Sequence, residues 1–395
     1  INMSDYYSII FHLGGIQGFI LAIFLFNQKK NLIAYRILGF LTLSWGVILV
    51  AFGLQFDDIF RTYPHLLGTF SRLIYLVFPL LFLYVKYLVS KHKRFNSIDL
   101  LHFSPFLLSI LVYVDFYFQS AENKLILIQS IKGYYYVIYL IGEEVLVVQG
   151  IVYSILAILL LKRYRREIQH HQSNTDKVLI KGSFFGIIVL LISWIIGSVA
   201  VNLAIFTIEV SIDLFIFVYL LIVITIYWIS YYAIKSPEIF KLERTELYPS
   251  NNDIPTIEES NDDTTSETKP IIWSEQEIET MKNNMINYIE KNKPYQEPDL
   301  SLQDLSTQLN MSRHHLSALI NRKQKKNFYE FINTYRIEEV KNLIVDPENK
   351  DQKIMSLAYD AGFNSKATFN RIFKQFTNMT PSQYKESSSE AFGRV

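Results

Sequence analysis

The sequence predicts an all-α protein in three parts: a seven-transmembrane helical bundle over residues 1–240, an acidic flexible linker over 241–270, and a helical module over 271–395. Three observations carry this. Half of the residues are apolar and 19% are charged, and the apolar ones crowd the chain up to about Ile234. Seven runs in that part are long enough to cross a hydrocarbon core at the helical rise of about 1.5 Å per residue. Beyond the linker, a pattern of short helix, turn and capped helix occurs twice. The chain holds no cysteine, which excludes disulfides, thiol catalysis and cysteine-ligated zinc. The net charge of +1 averages two unlike halves and says little about partners.

The expected spans are Ser8–Phe26, Tyr35–Phe56, Leu66–Tyr87, Leu100–Phe118, Val137–Leu161, Gly182–Phe206 and Ile212–Ile234. The first has an acidic flank and too long an apolar stretch for a cleavable signal peptide, so it reads as a true span. Loops after the first, third and fifth spans carry Lys29, Lys30 and Arg36, then Lys91, Lys93 and Arg94, then Lys162, Arg163, Arg165, Arg166, Lys177 and Lys181. Lys235, Lys241 and Arg244 follow the last span, whereas the alternate loops hold only Arg61, Lys124 and Lys132. The positive-inside rule then puts the N-terminus outside and the C-terminal module in the cytoplasm.

Polar residues inside the apolar runs form a candidate cluster: His12, Gln17, Arg72, Asp115, Glu143, Glu144 and Asn202, all in the expected outer half. Arg72, Glu143 and Glu144 fall at a common depth of about 10 Å. Ionisable groups in a bilayer are costly and turn toward a bundle interior or a water-filled cavity. Two readings stay open: Arg72 pairs with Glu143 or Glu144 to hold helices together, or the cluster lines a ligand pocket rimmed by "YVDFYF" and "GYYYVIY". Adjacent His170 and His171 lack the spacing of a metal site.

The stretch "ERTELYPSNNDIPTIEESNDDTTSETKP" is polar, acidic and punctuated by proline, and is expected to be disordered. Such a linker spans roughly 25 to 30 Å. The module after it opens with Ser274 and Glu277 as a capping box, followed by an apolar stripe of Ile278, Met281, Met285, Ile286 and Ile289. Next come a short helix over about Leu302–Leu309, a turn at Asn310 and Met311, and a helix capped by Ser312 with Leu316, Leu319 and Ile320 inward. A long helix buries Phe328, Phe331, Ile332, Tyr335, Val340, Leu343 and Ile344. The pattern then returns: a short helix ended by Gly362, and a helix capped by Ser365 with Phe369, Ile372, Phe373 and Phe376 on its core face. This is a duplicated helix-turn-helix.

The stretches "LSLQDLSTQLNMSRHHLSALI", "NFYEFINTYRIEEVKNLI" and "IMSLAYDAGFNSKATFNRIFKQFTNMTPSQY" make residues 300–385 resemble the DNA-binding domain of the AraC/XylS family of bacterial transcription regulators. Seven-span sensors fused to such domains match the membrane part in layout only. The resemblance implies a non-enzymatic regulator of the bacterial cytoplasmic (inner) membrane, with promoter DNA, the lipid bilayer and RNA polymerase as partners. An unknown ligand or signal protein and a homodimer belong to the same expectation. The implied DNA-binding residues are Arg313, His314, Ser317, Asn321, Arg322 and Lys323 in the first unit, and Lys366, Ala367, Thr368, Asn370, Arg371 and Lys374 in the second. Arg371 suits a guanine contact and Ala367 a thymine methyl; Lys374, Arg322 and Lys323 suit phosphates. Residues 300–385 carry 13 Lys and Arg against 8 Asp and Glu, a modest basic footprint.

Two departures from the family pattern concern the backbone. Asn378 and Lys325 stand where the family has glycine; asparagine tolerates a left-handed cap, while Lys325 costs about 1 kcal/mol. No phosphate loop, nucleophile elbow or zinc-type histidine motif is present, so no catalytic residue, metal or cofactor is expected. The alternative is a transporter-like membrane protein with a secondary DNA-binding domain, although seven spans do not divide into equal repeats.

Overall fold

The computed structural model describes residues 3–28, 32–90, 94–129, 134–173, 178–205, 212–235, 274–323 and 325–392. The chain divides into an apolar unit, Ile1–Arg163 with Val178–Leu242, and a C-terminal unit, Tyr164–Lys177 with Glu243–Val395. The linker expected over 241–270 lies outside the described residues, as do Lys29, Lys30, Lys91, Lys93, Lys132, Lys177, Lys241 and Arg244 among the loop cations.

The helices of this part are α1 (Met3–Phe26), α2 (Leu32–Phe56), α3 (Ile59–Thr62), α4 (Ile74–Val89), α5 (Ser104–Val112), α6 (Val114–Tyr117), α7 (Ala121–Gln129), α8 (Tyr134–Gln169), α9 (Val178–Ile205) and α10 (Ile212–Lys235), the longer ones rich in Leu, Ile, Phe and Val, and α8 ending among the residues of the C-terminal unit. Helices α1 and α2 approach closely because small residues face each other. A Cβ on Gly18 would stand 3.1 Å from the Gly46 Cα, and one on Gly46 would stand 3.0 Å from the Gly15 carbonyl oxygen. In lipid such close contact, rather than exclusion of water, draws helices together. Phe11, Leu25, Leu41, Leu49, Phe78, Leu83 and Leu161 are buried in this unit. Ile16, Ile20, Ile23 and Ile155 remain exposed, as lipid-facing side chains would be.

The expectation of seven spans is corrected. Among the described residues, four helical stretches are long and apolar enough to cross a membrane: Asp5–Phe26, Ile33–Phe56, Pro64–Val89 and Tyr136–Gln169. The expected fourth span is broken into a 3-10 turn over Ser97–Phe103, then α5 with proline in its first turn, then α6 after Tyr113 at φ −99°, ψ 9°. Pro105 has no amide hydrogen to continue the preceding turn, so a new helix starts there. The expected sixth and seventh spans fall on α9 and α10, whose apolar stretches with described side chains are Phe185–Ala200 and Ile216–Thr225.

The C-terminal unit contains α11 (Glu275–Asn292), α12 (Leu302–Gln308), α13 (Arg313–Lys323), α14 (Phe328–Val345), α15 (Ile354–Asp360), α16 (Lys366–Thr377) and α17 (Pro381–Phe392). Capping boxes start four of them, at Ser274 with Glu277, Ser301 with Asp304, Asn327 with Glu330, and Thr380 with Gln383. The Ser274 amide and hydroxyl hold the Glu277 carboxyl below its ordinary pKa.

Helix α14 serves two cores. Phe328, Phe331 and Ile332 join Met285, Ile289, Leu302, Leu305, Leu316, Leu319 and Ile320. Tyr329, Ile337, Val340 and Ile344 join Leu357, Phe363, Phe369, Ile372 and Phe373. One helix is therefore the common wall of both helix-turn-helix units.

Candidate nucleic-acid interface

In the first helix-turn-helix, Asn310 turns the chain at φ 51°, and the Ser312 hydroxyl accepts the His315 amide at 3.2 Å to start α13. Leu316, Leu319 and Ile320 hold α13 on the core. Arg313 and Ser317 are half-buried and Asn321 is exposed, its amide nitrogen donating to the Ser317 hydroxyl at 3.2 Å. The side chains of His314, Arg322 and Lys323 lie outside the described residues. The helix is followed by Lys325 at φ 51°, the left-handed conformation that a missing glycine would otherwise supply.

In the second unit, Gly362 turns at φ 92°, and a Cβ there would collide with the Tyr295 carbonyl oxygen. Ser365 caps α16 by accepting the Thr368 amide at 3.5 Å, and Asn378 ends the helix at φ 58°. Phe369, Ile372 and Phe373 are buried, while Lys366, Ala367, Asn370, Arg371 and Lys374 are exposed in one stripe. Two side chains depart from the expected faces. Thr368 is 8% exposed because it borders the Phe369 face, and Phe376 is 38% exposed because it lies in the last turn. Arg371 donates from Nη2 to the Tyr329 hydroxyl at 2.7 Å, so α14 orients this side chain.

Residues 305–387 match the family model described as a helix-turn-helix domain. The chain bears a C-terminal helix-turn-helix DNA-binding domain. The uncharacterised HTH-type transcriptional regulator SACOL0084 of Staphylococcus aureus strain COL is 41% identical over 87 residues, which are 22% of this chain and 11% of that protein. SAS0078 of strain MSSA476 matches to the same extent. The HTH-type regulator YdeC of Bacillus subtilis strain 168 is 29% identical over 104 residues, 26% of this chain and 32% of that protein. This chain thus spans only 11% of the length of the Staphylococcus relatives. No solved structure matches it. The reading of an AraC/XylS regulator fused to seven spans is corrected accordingly: the match carries a helix-turn-helix regulator domain, accompanied by four helices able to span a membrane.

The polar residues of the apolar unit take separate partners rather than one. His12 Nδ1 lies 2.7 Å from the Ser8 carbonyl oxygen, and its Nε2 lies 3.9 Å from Asp57 Oδ2. Arg72 stacks over the Tyr113 ring at 3.6 Å, and its Nε is buried without a hydrogen-bond partner. Arg72 and Glu143 interact electrostatically. Glu144 and Asp115 are exposed, Gln17 is half-buried on α1, and the Asn202 side chain lies outside the described residues.

A buried polar network in this unit was not singled out from sequence. Asp99, 2% exposed, accepts from Lys86 Nζ at 2.6 Å and from the Tyr87 hydroxyl at 2.7 Å. His102 Nδ1 lies 2.9 Å from the Tyr153 hydroxyl of α8. Lys124, expected in a loop, is 1% exposed and donates to the Tyr117 carbonyl at 3.0 Å. Among the described residues no group of three or more His, Asp and Glu is placed to hold a metal ion.

Arg336 was also missed. It is 2% exposed, and burial pushes its guanidinium pKa down to about 10, which leaves it a cation at neutral pH. Its Nε donates to the Tyr295 carbonyl at 2.7 Å, and its Nη2 donates to the Glu297 carbonyl at 2.6 Å. The signal was an arginine at the centre of an apolar helical stripe, where an unpaired charge would be prohibitive.

Proposed function

We propose that the chain is a one-component regulator: its membrane-embedded helices receive a signal, and its C-terminal unit, on the cytoplasmic side, binds promoter DNA through both helix-turn-helix units. The observation that carries this is the stripe of Lys366, Ala367, Asn370, Arg371 and Lys374, exposed on a helix whose opposite face is locked by Phe369, Ile372 and Phe373. A rigid helix with a cationic, polar outer face suits the major groove. Arg371 is the base-reading residue of this account and Lys374 a phosphate contact. The cations Lys162, Arg163, Arg165 and Arg166 late in α8 suit the cytoplasmic face, where DNA is.

The test is selection of duplexes from a randomised pool by the full chain in lipid vesicles. The wild type enriches a defined sequence, and a variant carrying Arg371→Ala and Lys374→Ala enriches none. Equal enrichment by both would overturn the assignment.

A further inference from the structure

Residues 164–177, in which α8 ends, group with the DNA-binding unit and not with the apolar one. The segment is seated by hydrogen bonds. Gln172 and Ser301 form an antiparallel bridge, with the Ser173 amide donating to the Leu300 carbonyl at 3.2 Å and the Leu302 amide donating to the His171 carbonyl at 2.9 Å. The Ser173 hydroxyl donates to the Leu300 carbonyl at 2.7 Å. Asn333 Nδ2 donates to the Ser173 carbonyl at 3.2 Å, and Arg336 Nη2 reaches the Ser173 hydroxyl at the same distance. Ile168, Gln172 and Ser173 are buried.

The seat is made of two decisive parts of the unit. Ser301 caps the first helix of the first helix-turn-helix. Asn333 and Arg336 belong to α14, the wall shared by both cores, and Arg336 also lies 6.0 Å from the Phe363 ring of the second unit. A segment held mainly by polar groups can exchange its partners for water at small net cost, as an apolar plug cannot. Its removal leaves Asn333 and Arg336 short of a partner, and the shared helix less fixed.

We propose that residues 168–173 are a transmission strap: seated, they hold the two helix-turn-helix units in the DNA-competent arrangement, and changes in α8 act on DNA binding by unseating them. This rests on the DNA-binding reading above. The strap is covalently continuous with Tyr136–Gln169, one of the four stretches able to span a membrane, so a change in that helix reaches the strap without crossing the linker.

The test uses the full chain in lipid vesicles and the duplex that the wild type enriches from a randomised pool. The chain has no cysteine of its own, so Gln172→Cys with Ser301→Cys allows a single cross-link; because the pair also removes the Ser301 cap, every comparison is made against the reduced lock. Flanked by the two ladder bonds, these positions form a non-hydrogen-bonded pair with Cα atoms about 4.5 Å apart, within disulfide reach. Oxidation is expected to cross-link the pair and to leave duplex affinity at the level of the reduced lock or above it. Asn333→Ala in the reduced lock is expected to weaken binding about tenfold, and oxidation to restore it.

Absence of the cross-link, loss of binding on oxidation, or an Asn333→Ala variant that binds normally would each overturn the strap. So would a defect that oxidation leaves uncorrected, which would mark Asn333 as merely structural. A wild type that enriches no duplex would overturn the DNA-binding reading itself, and the strap's role with it. Loss of the cross-link alone, with duplex enrichment intact, would overturn only the strap.

Discussion

The two helix-turn-helix units solve the same geometrical problem with different residues. The first turns at Asn310 with φ 51°, and the second at Gly362 with φ 92°. The first begins with a full capping box at Ser301, whereas Lys353 opens the second with no side-chain cap. Their outer helices match more closely, with Ser312 and Ser365 as caps and Lys325 and Asn378 left-handed after the ends. A polar side chain is tolerated where the turn faces open space, and glycine is required where it abuts backbone. The second turn is pressed against the Tyr295 carbonyl, so it also braces the unit against the segment that enters the first.

The largest expected effect breaks that brace. Gly362→Ala adds left-handed strain to a collision with backbone and is expected to destabilise the C-terminal unit by about 3 kcal/mol. Asn310→Ala carries the strain alone, about 1 kcal/mol. Thermal melting of the two variants side by side checks this, and equal shifts would remove the distinction between the turns.

The next effect concerns reading. Arg371→Ala is expected to weaken binding to the selected duplex by about 1 to 3 kcal/mol and to relax preference at one base pair, while Lys374→Ala weakens all sequences alike. Tyr329→Phe removes the hydroxyl that orients Arg371 and is expected to lose about 1 kcal/mol of specific binding with unchanged non-specific affinity. Competition titrations with selected and random duplexes separate these outcomes. The smallest effect is a gain: Lys325→Gly is expected to stabilise the unit by about 1 kcal/mol, because glycine takes φ 51° without strain. Asn378→Gly should gain less, and a larger gain there would reverse the ranking of the two helix ends.

Much of the C-terminal unit was legible because its determinants are local. Ser274 with Glu277, the caps Ser312 and Ser365, and the apolar spacing of α13 and α16 all act within a few residues. The left-handed Lys325 and Asn378 followed from glycine-like positions in a recognised pattern. Arg336 and the strap were not legible, since Ser173 and Arg336 are 163 residues apart in sequence. No periodicity reports a pairing over that distance. The span count failed for a related reason: hydropathy sums over Leu100–Phe118 without registering that Pro105 and Tyr113 interrupt the backbone. The polar cluster was picked by depth along idealised spans, and depth alone does not say that Arg72 stacks on Tyr113 while His12 faces Asp57.

The most direct measurement is a hydroxyl-radical footprint of the full chain, held in lipid vesicles, on the duplex it selects. Two helix-turn-helix units joined by the single helix α14 are expected to protect two successive major grooves, centred about 10 base pairs apart on one face, within one asymmetric site. Arg371→Ala should erase the protection of one groove and leave the other. Protection confined to a single groove in the wild type would contradict the claim that both units engage DNA together.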